Sequence, residues 1–166
     1  MRCKPLIIGV GNRFRGDDAA GPLIIDKLRK HKTLRADLLE SSGEGTALMQ
    51  VWKDRPLVII IDAVVSGKEP GHVFRFDAIR ERIPAKFFNY SSHAFSLAEA
   101  VEVSRALGSL PDRLIIFGIE GQNFATGASV TDAVANAVEQ VTKVACGELF
   151  GYKQSYTLTQ TQRGTS

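Results

Sequence analysis

Residues 5–18 read PLIIGVGNRFRGDD, an apolar run that passes into a glycine-rich loop and ends on two acids. The segment from Leu6 to Val10 is apolar on both faces, which is typical of a parallel strand covered by helices. A glycine-rich loop after a first strand usually holds a phosphate through backbone N–H groups, and two carboxylates would repel that ligand. The stretch therefore predicts an α/β sheet whose first loop faces a cation.

The rest of the chain alternates apolar strands with helical patterns. Buried strands are predicted over 57–62 and 114–118, a short strand over 36–40 and an alternating edge strand over 73–76. Helices are predicted to begin between residues 19 and 22, at 47, after a capping box at 96–99, and after a candidate cap at 129. We therefore expect one α/β domain over 1–150. It is expected to be a three-layer sandwich, with a mostly parallel, twisted sheet of about five strands, one antiparallel edge strand and helices on both faces. Residues 151–166 are expected to form a flexible tail.

Composition narrows the class of protein. The chain has 166 residues, is 44% hydrophobic and carries a net charge of +3, so one core is expected to stabilise it. The basic residues are scattered rather than gathered in a stripe, so nucleic acid is not an expected partner. The two cysteines, Cys3 and Cys146, lack Cys-x-x-Cys spacing, and no secretory signal or membrane-length apolar run is present. We expect a soluble, cytoplasmic monomer that does not bind membranes.

Three polar residues are expected at one edge of the sheet. Asp18 follows the first strand, Asp62 ends the strand over 57–62, and His93 lies in the loop before the capped helix. Ligands of such sheets bind beyond the carboxyl ends of the strands, and two carboxylates with an imidazole suit nickel, zinc, manganese or iron. Each residue also has a structural explanation, since Asp18 is a good helix cap, Asp62 can bond local backbone at a turn, and His93 can be a surface residue.

Patterns of other enzyme classes are missing from the sequence. It has no Gly-x-Ser-x-Gly elbow and no His-Glu-x-x-His helix. The pair Gly9 and Gly11 lacks the third glycine of a dinucleotide-binding loop, and Glu40, the best candidate for binding a ribose, is a common residue at a strand end. No organic cofactor is therefore expected.

The ordered pattern of these motifs resembles the hydrogenase maturation endopeptidases. It comprises Gly-x-Gly-Asn, an Asp-Asp pair after four more residues, an Asp closing a third apolar strand and a His before a helix, over residues 6–144. The resemblance implies a cytosolic enzyme that removes a C-terminal extension from the precursor of a [NiFe]-hydrogenase large subunit after nickel insertion. It places the metal-contacting and catalytic residues on Asp18, Asp62 and His93, with the nickel supplied by the substrate.

The first loop supplies further candidates for contact with the substrate. Gly11, Asn12 and Asp17 are the expected substrate-loop residues, and Asp17 is alternatively the general base or a residue that tunes Asp18. Arg13 or Arg15 is expected to hold the substrate tail.

Two departures from the family pattern stand out in the chain. The acidic pair is followed by Ala19, where many members have Gly. The turn over 43–46 reads Gly-Glu-Gly-Thr in place of the commoner Gly-Gly-Thr. Neither departure removes a ligand, but the second leaves the substrate subgroup open.

Two other functions stay open at the level of sequence. A hydrolase resembling peptidyl-tRNA hydrolase would share Gly-x-Gly-Asn after the first strand, but residues 16–20, Gly-Asp-Asp-Ala-Ala, stand where its Arg-His-Asn stretch is expected. Acidic residues there oppose a path for RNA phosphates. A non-catalytic metal-binding assembly protein is the third reading, since a fold does not by itself confer activity.

Overall fold

The computed structural model describes residues 3–88 and 94–163, with side chains up to residue 155. The strands are β1 (Leu6–Val10), β2 (Asp37–Ser41), β3 (Val58–Val64), β4 (Val73–Asp77) and β5 (Leu114–Glu120). The helices are α1 (Ala20–Arg29), α2 (Gly45–Trp52), α3 (Leu97–Ala106) and α4 (Asp132–Arg163), and short 3-10 turns cover Gly16–Ala19 and Ala85–Phe87.

The strands form one twisted sheet in the order β2-β1-β3-β5-β4. Strands β2, β1, β3 and β5 are parallel, and β4 pairs antiparallel with β5 at the edge. Ile8 of β1 lies opposite Ile60 of β3, which in turn lies opposite Ile116 of β5. The predicted single-domain α/β sandwich, with five strands and one antiparallel edge strand, is confirmed.

Two apolar layers hold the helices against the sheet. Ile8, Ile60 and Ile116 pack with residues of α2 and α3 on one face, and the neighbouring residues Ile7 and Ile59 pack with α1 and α4 on the other. All of these side chains are fully buried, and each contributes about 1.5–3 kcal/mol relative to an exposed position. The uninterrupted apolar strands are explained by this burial on both faces.

Close backbone contact places the first helix directly on β1. A Cβ atom on Gly9 would lie 2.4 Å from the carbonyl oxygen of Gly21, and one on Gly21 would lie 2.4 Å from that of Val10. Side chains at either position would push α1 away from the strand. The two glycines therefore hold the 3-10 turn over 16–19, which carries the acidic pair, next to the end of β1.

The last helix differs from its predicted limits. It begins at Asp132 rather than near residue 129 and continues to Arg163, through the segment expected to be a flexible tail. Leu149 is buried and Tyr152 packs against the same core cluster, and the Ser155 hydroxyl donates to the Gly151 carbonyl at 3.0 Å. The packing of Leu149 and Tyr152 on the core stabilises the helix beyond residue 150. Among the described residues, no helix combines the length and apolar character needed to cross a membrane.

Candidate active site

An open cavity of about 560 Å³ lies beyond the carboxyl ends of β1 and β3. This is where ligands of parallel α/β sheets bind. The first loop forms much of its wall, and the ends of β2 and β3 and one residue after the second 3-10 turn complete it. The lining residues are Val10, Gly11, Asn12, Arg13, Phe14, Arg15, Asp18, Glu40, Ser41, Ser42, Asp62, Ala63 and Phe88. Asp18 and Asp62, which are 44 positions apart in the sequence, thus face the same space.

The backbone of its own loop orients Asp18. Its Oδ2 accepts a hydrogen bond from the Asn12 backbone N–H at 2.9 Å, which draws the loop around the half-buried carboxylate. Gly11 permits this, because its φ of +138° is unfavourable for other residues and a Cβ there would lie 1.9 Å from the Asp18 carbonyl oxygen. Burial raises the pKa of Asp18, while the Asn12 bond and the positive charge of Arg15 partly oppose the shift.

Asp62 is the more deeply buried member of the pair. It lies within β3 opposite Gly118 of β5, with only 8% of its surface exposed. Burial raises its pKa well above the usual value, the negative charge of Asp18 raises it further, and the Ala63 backbone N–H opposes the shift. The cavity wall therefore holds two carboxylates that repel each other in a partly desolvated place, and a bound cation would relieve that repulsion.

The predicted third ligand, His93, lies outside the described residues, which omit 89–93. Phe88, immediately before that segment, lines the cavity. Within the described part of the chain, no group of three or more His, Cys, Asp or Glu side chains is placed to hold a metal ion. The two carboxylates are an incomplete metal site by themselves, and the role of His93 stays a prediction.

Asp17 has a structural role in place of the predicted contact with substrate. Its carboxylate is fully buried and does not line the cavity. Oδ2 accepts from the backbone N–H groups of Gln122 and Asn123 at 2.8 and 3.0 Å. Oδ1 accepts from the backbone N–H and the hydroxyl of Thr131 at 2.8 and 2.9 Å. Asp17 therefore ties the first loop to the segment between β5 and α4, an arrangement that suits neither a general base nor a substrate ligand.

Arg13 is bound to two carboxylates of the protein itself. Its guanidinium donates to both oxygens of Asp26 on α1 at 2.7 and 2.9 Å and to both oxygens of Glu40 on β2 at 2.8 and 2.6 Å. These bonds lower the pKa of both acids, and Arg29 also donates to Glu40 at 2.9 Å. These ion pairs fix the first loop to α1 and β2. Because the Arg13 guanidinium is already bonded to two carboxylates of the protein, the network argues against its predicted role in holding the substrate tail. Arg15 is the arginine whose charge acts on Asp18.

Glu120 is a buried acid that sequence reasoning did not single out. It ends β5 with 2% of its surface exposed. Its Oε1 accepts from the backbone N–H groups of Ser66 and Gly67 at 3.0 Å, and its Oε2 accepts from the Ser66 hydroxyl at 2.5 Å. Its place after an apolar run is the same signal that identified Asp62. Through these bonds Glu120 holds the loop between β3 and β4, and it does not line the cavity.

Comparison with known proteins identifies the family. The family model described as "Hydrogenase maturation protease" matches residues 22–148. The hydrogenase 2 maturation protease of Escherichia coli is 32% identical over 139 residues, which cover 81% of this chain and 83% of that protein.

Solved structures agree with the sequence matches. The hydrogenase maturating endopeptidase HybD from E. coli superposes with a TM-score of 0.78 and 27% identity, covering 91% of this chain and 93% of the other. HybD from Thermococcus kodakarensis, at a TM-score of 0.69, 24% identity and coverage of 90% and 99%, supports the fold. These matches favour a protease over an RNA-directed hydrolase or a non-catalytic assembly protein. The chain belongs to the hydrogenase maturation protease family, whose activity is that of an endopeptidase.

Proposed function

We propose that this endopeptidase removes the C-terminal extension of a [NiFe]-hydrogenase large-subunit precursor, and that it recognises nickel already bound in that precursor. The observation that carries the proposal is the pair of carboxylates, Asp18 and Asp62, on the wall of one open cavity. Their mutual repulsion and partial burial make the cavity receptive to a cation brought by the substrate. The resemblance to the family supplies His93 as the third ligand. No organic cofactor takes part in this proposal.

The donor set suits nickel as part of the substrate. Carboxylate oxygens with an imidazole nitrogen are ligands that Ni²⁺ accepts, and a cation between Asp18 and Asp62 would favour the charged form of both acids. Contact with substrate nickel would fix the peptide relative to the cavity, so that only a precursor containing metal presents its scissile bond correctly. Nickel insertion would then act as the condition for cleavage.

The proposed reaction is hydrolysis of one peptide bond. Nickel held against Asp18 and Asp62 would supply Lewis-acid polarisation of the scissile carbonyl or of the attacking water, whose oxygen adds to the carbonyl carbon. A carboxylate of the pair accepts the water proton, and that proton passes to the leaving nitrogen as the C–N bond breaks. The products are a new C-terminal carboxylate on the large subunit and a free peptide with a new N-terminus.

Intact-mass spectrometry of a candidate precursor tests the proposal. Precursor with and without nickel is incubated with the wild-type protein, and we expect loss of a C-terminal peptide only from the nickel-containing form. Asp18→Asn and Asp62→Asn, which remove charge at nearly constant shape, and His93→Ala are each expected to lower the rate by roughly 100-fold or more. Asp54→Asn is the matched control, since Asp54 is exposed and its φ of +59° is one that Asn tolerates.

Two results would contradict the proposal. Equal cleavage of precursor with and without nickel would show that the enzyme does not recognise the metal. Wild-type rates in both Asp18→Asn and Asp62→Asn would show that neither carboxylate is needed for hydrolysis. Nickel-dependent binding of precursor without any change in its mass would instead favour a non-catalytic role in assembly.

A further inference from the structure

Phe14 is an exposed aromatic residue at the rim of the active-site cavity. It is 75% exposed, the largest value among the exposed large apolar residues of the described chain. It is also the only one of those residues that lines the cavity. A single exposed apolar residue is common on protein surfaces, but a phenyl ring on the wall of the active-site cavity offers apolar area that a bound ligand can bury.

The backbone around Phe14 is held on both sides. Its N–H donates to the Asn12 side-chain oxygen at 2.9 Å, and its carbonyl accepts from the Gly127 N–H at 2.7 Å. Asn12 in turn donates its own N–H to Asp18. The loop that positions the catalytic carboxylate therefore also positions the ring, so little backbone freedom is lost when a ligand packs against it.

We propose that Phe14 is a substrate-binding residue that packs against an apolar side chain of the precursor, within a few residues of the scissile bond. This proposal rests on the proposed function. Continuity with the catalytic site is the argument for this occupant, since Phe14 and Asp18 lie four positions apart in one loop and line the same cavity. A peptide bound with its scissile bond near Asp18 would lie in the cavity whose wall includes Phe14. The phenyl ring favours an apolar residue there, because burying apolar surface on both partners is what stabilises such a contact.

Steady-state kinetics on nickel-containing precursor test the contact. Phe14→Ala is expected to raise KM on the order of 10-fold, with kcat within about twofold of wild type, because the lost contact concerns binding. Phe14→Leu, which keeps apolar bulk, should restore most of the affinity. Phe150→Ala is the matched control, since Phe150 is 57% exposed on α4 and does not line the cavity; its KM should equal that of wild type. Melting temperatures of all variants should agree, since the ring is exposed.

A double-mutant cycle identifies the partner residue. Each apolar residue of the precursor near the cleavage site is changed to Ser, and KM is measured with the wild-type enzyme and with Phe14→Ala. For one precursor position, the Ser change should raise KM for the wild-type enzyme but hardly change it for Phe14→Ala. The proposal is overturned if Phe14→Ala and Phe150→Ala have the same KM, if no precursor position couples to Phe14, or if sedimentation shows self-association that Phe14→Ala abolishes. If wild-type protein does not cleave the precursor, the proposed function fails. Binding of a fluorescent precursor peptide to wild type and Phe14→Ala then still decides whether the ring makes the contact.

Discussion

Replacing Asp17 with alanine tests the structural role of this buried acid. The change removes a carboxylate that accepts bonds from three backbone N–H groups, at 122, 123 and 131, and from the Thr131 hydroxyl. A buried donor left without its partner costs about 1–3 kcal/mol. Water that enters the vacated space would bond to some of these donors and offset part of their combined cost. We therefore expect the free energy of unfolding to fall by about 3–5 kcal/mol, which is a large part of the roughly 5–15 kcal/mol that stabilises a typical domain.

Urea and thermal unfolding of purified variants measure this loss. For a chain of this size, the expected change lowers the melting temperature by roughly 6–20 °C. Asp17→Asn keeps one acceptor oxygen and should lose about 1–3 kcal/mol. Asp112→Ala, at an exposed position, is the control and should stay within about 0.5 kcal/mol of wild type. A loss under about 1 kcal/mol in Asp17→Ala would refute the reasoning, since the four donors that bond to this carboxylate would then contribute almost nothing beyond what water supplies.

Three further predictions concern backbone strain, pH and the second buried acid. Gly11→Ala places a Cβ 1.9 Å from the Asp18 carbonyl oxygen at a φ of +138°. We therefore expect the free energy of unfolding, measured by thermal unfolding, to fall by at least about 2 kcal/mol, and cleavage to be lost. A stable, active variant would contradict the loop geometry. Because the pKa of Asp62 is raised above its usual value, the folded chain binds more protons than the unfolded chain between the two pKa values. Stability should therefore fall as pH rises through that range, and Asp62→Asn should flatten that fall in urea titrations, whereas an unchanged pH profile would mean that Asp62 is not desolvated. Glu120→Ala should cost about 2–4 kcal/mol and speed amide hydrogen exchange at Ser66, and unchanged exchange there would show that Glu120 does not hold the loop.

The fold was predictable from sequence because the central strands have an unambiguous pattern. Strands β1, β3 and β5 are apolar at nearly every position, and burial on both faces of a parallel sheet produces that pattern. The edge strand β4 alternates because Phe74 and Phe76 pack on one core cluster, while Arg75 between them points to the other face and is exposed. The extent of α4 was not predictable in the same way, because the Thr- and Gln-rich segment after residue 151 has no apolar period. Among the described side chains near the end of the helix, Leu149 and Tyr152 are the ones that pack on the core.

The candidate site was predictable to the extent that it follows strand ends. Asp18 and Asp62 come after apolar runs, and the parallel sheet brings such positions to one edge. The separate roles of the two adjacent acids, Asp17 and Asp18, were not predictable, because the partners of Asp17 lie more than 100 positions away. The same holds for Arg13, whose partner Glu40 is on another strand. Local patterns carry no information about such distant hydrogen bonds.

The bonds of Asp17 also constrain when the enzyme becomes competent during synthesis. They join positions separated by 105 to 114 residues, so the loop around Asp18 closes only after β5 and the following segment have left the ribosome. Contacts of such long range form late and slowly in folding. A partly translated chain would contain Asp17 and Asp18 yet lack the hydrogen-bond donors at 122, 123 and 131 that hold their loop, so the loop takes its final form only when most of the chain is available to fold.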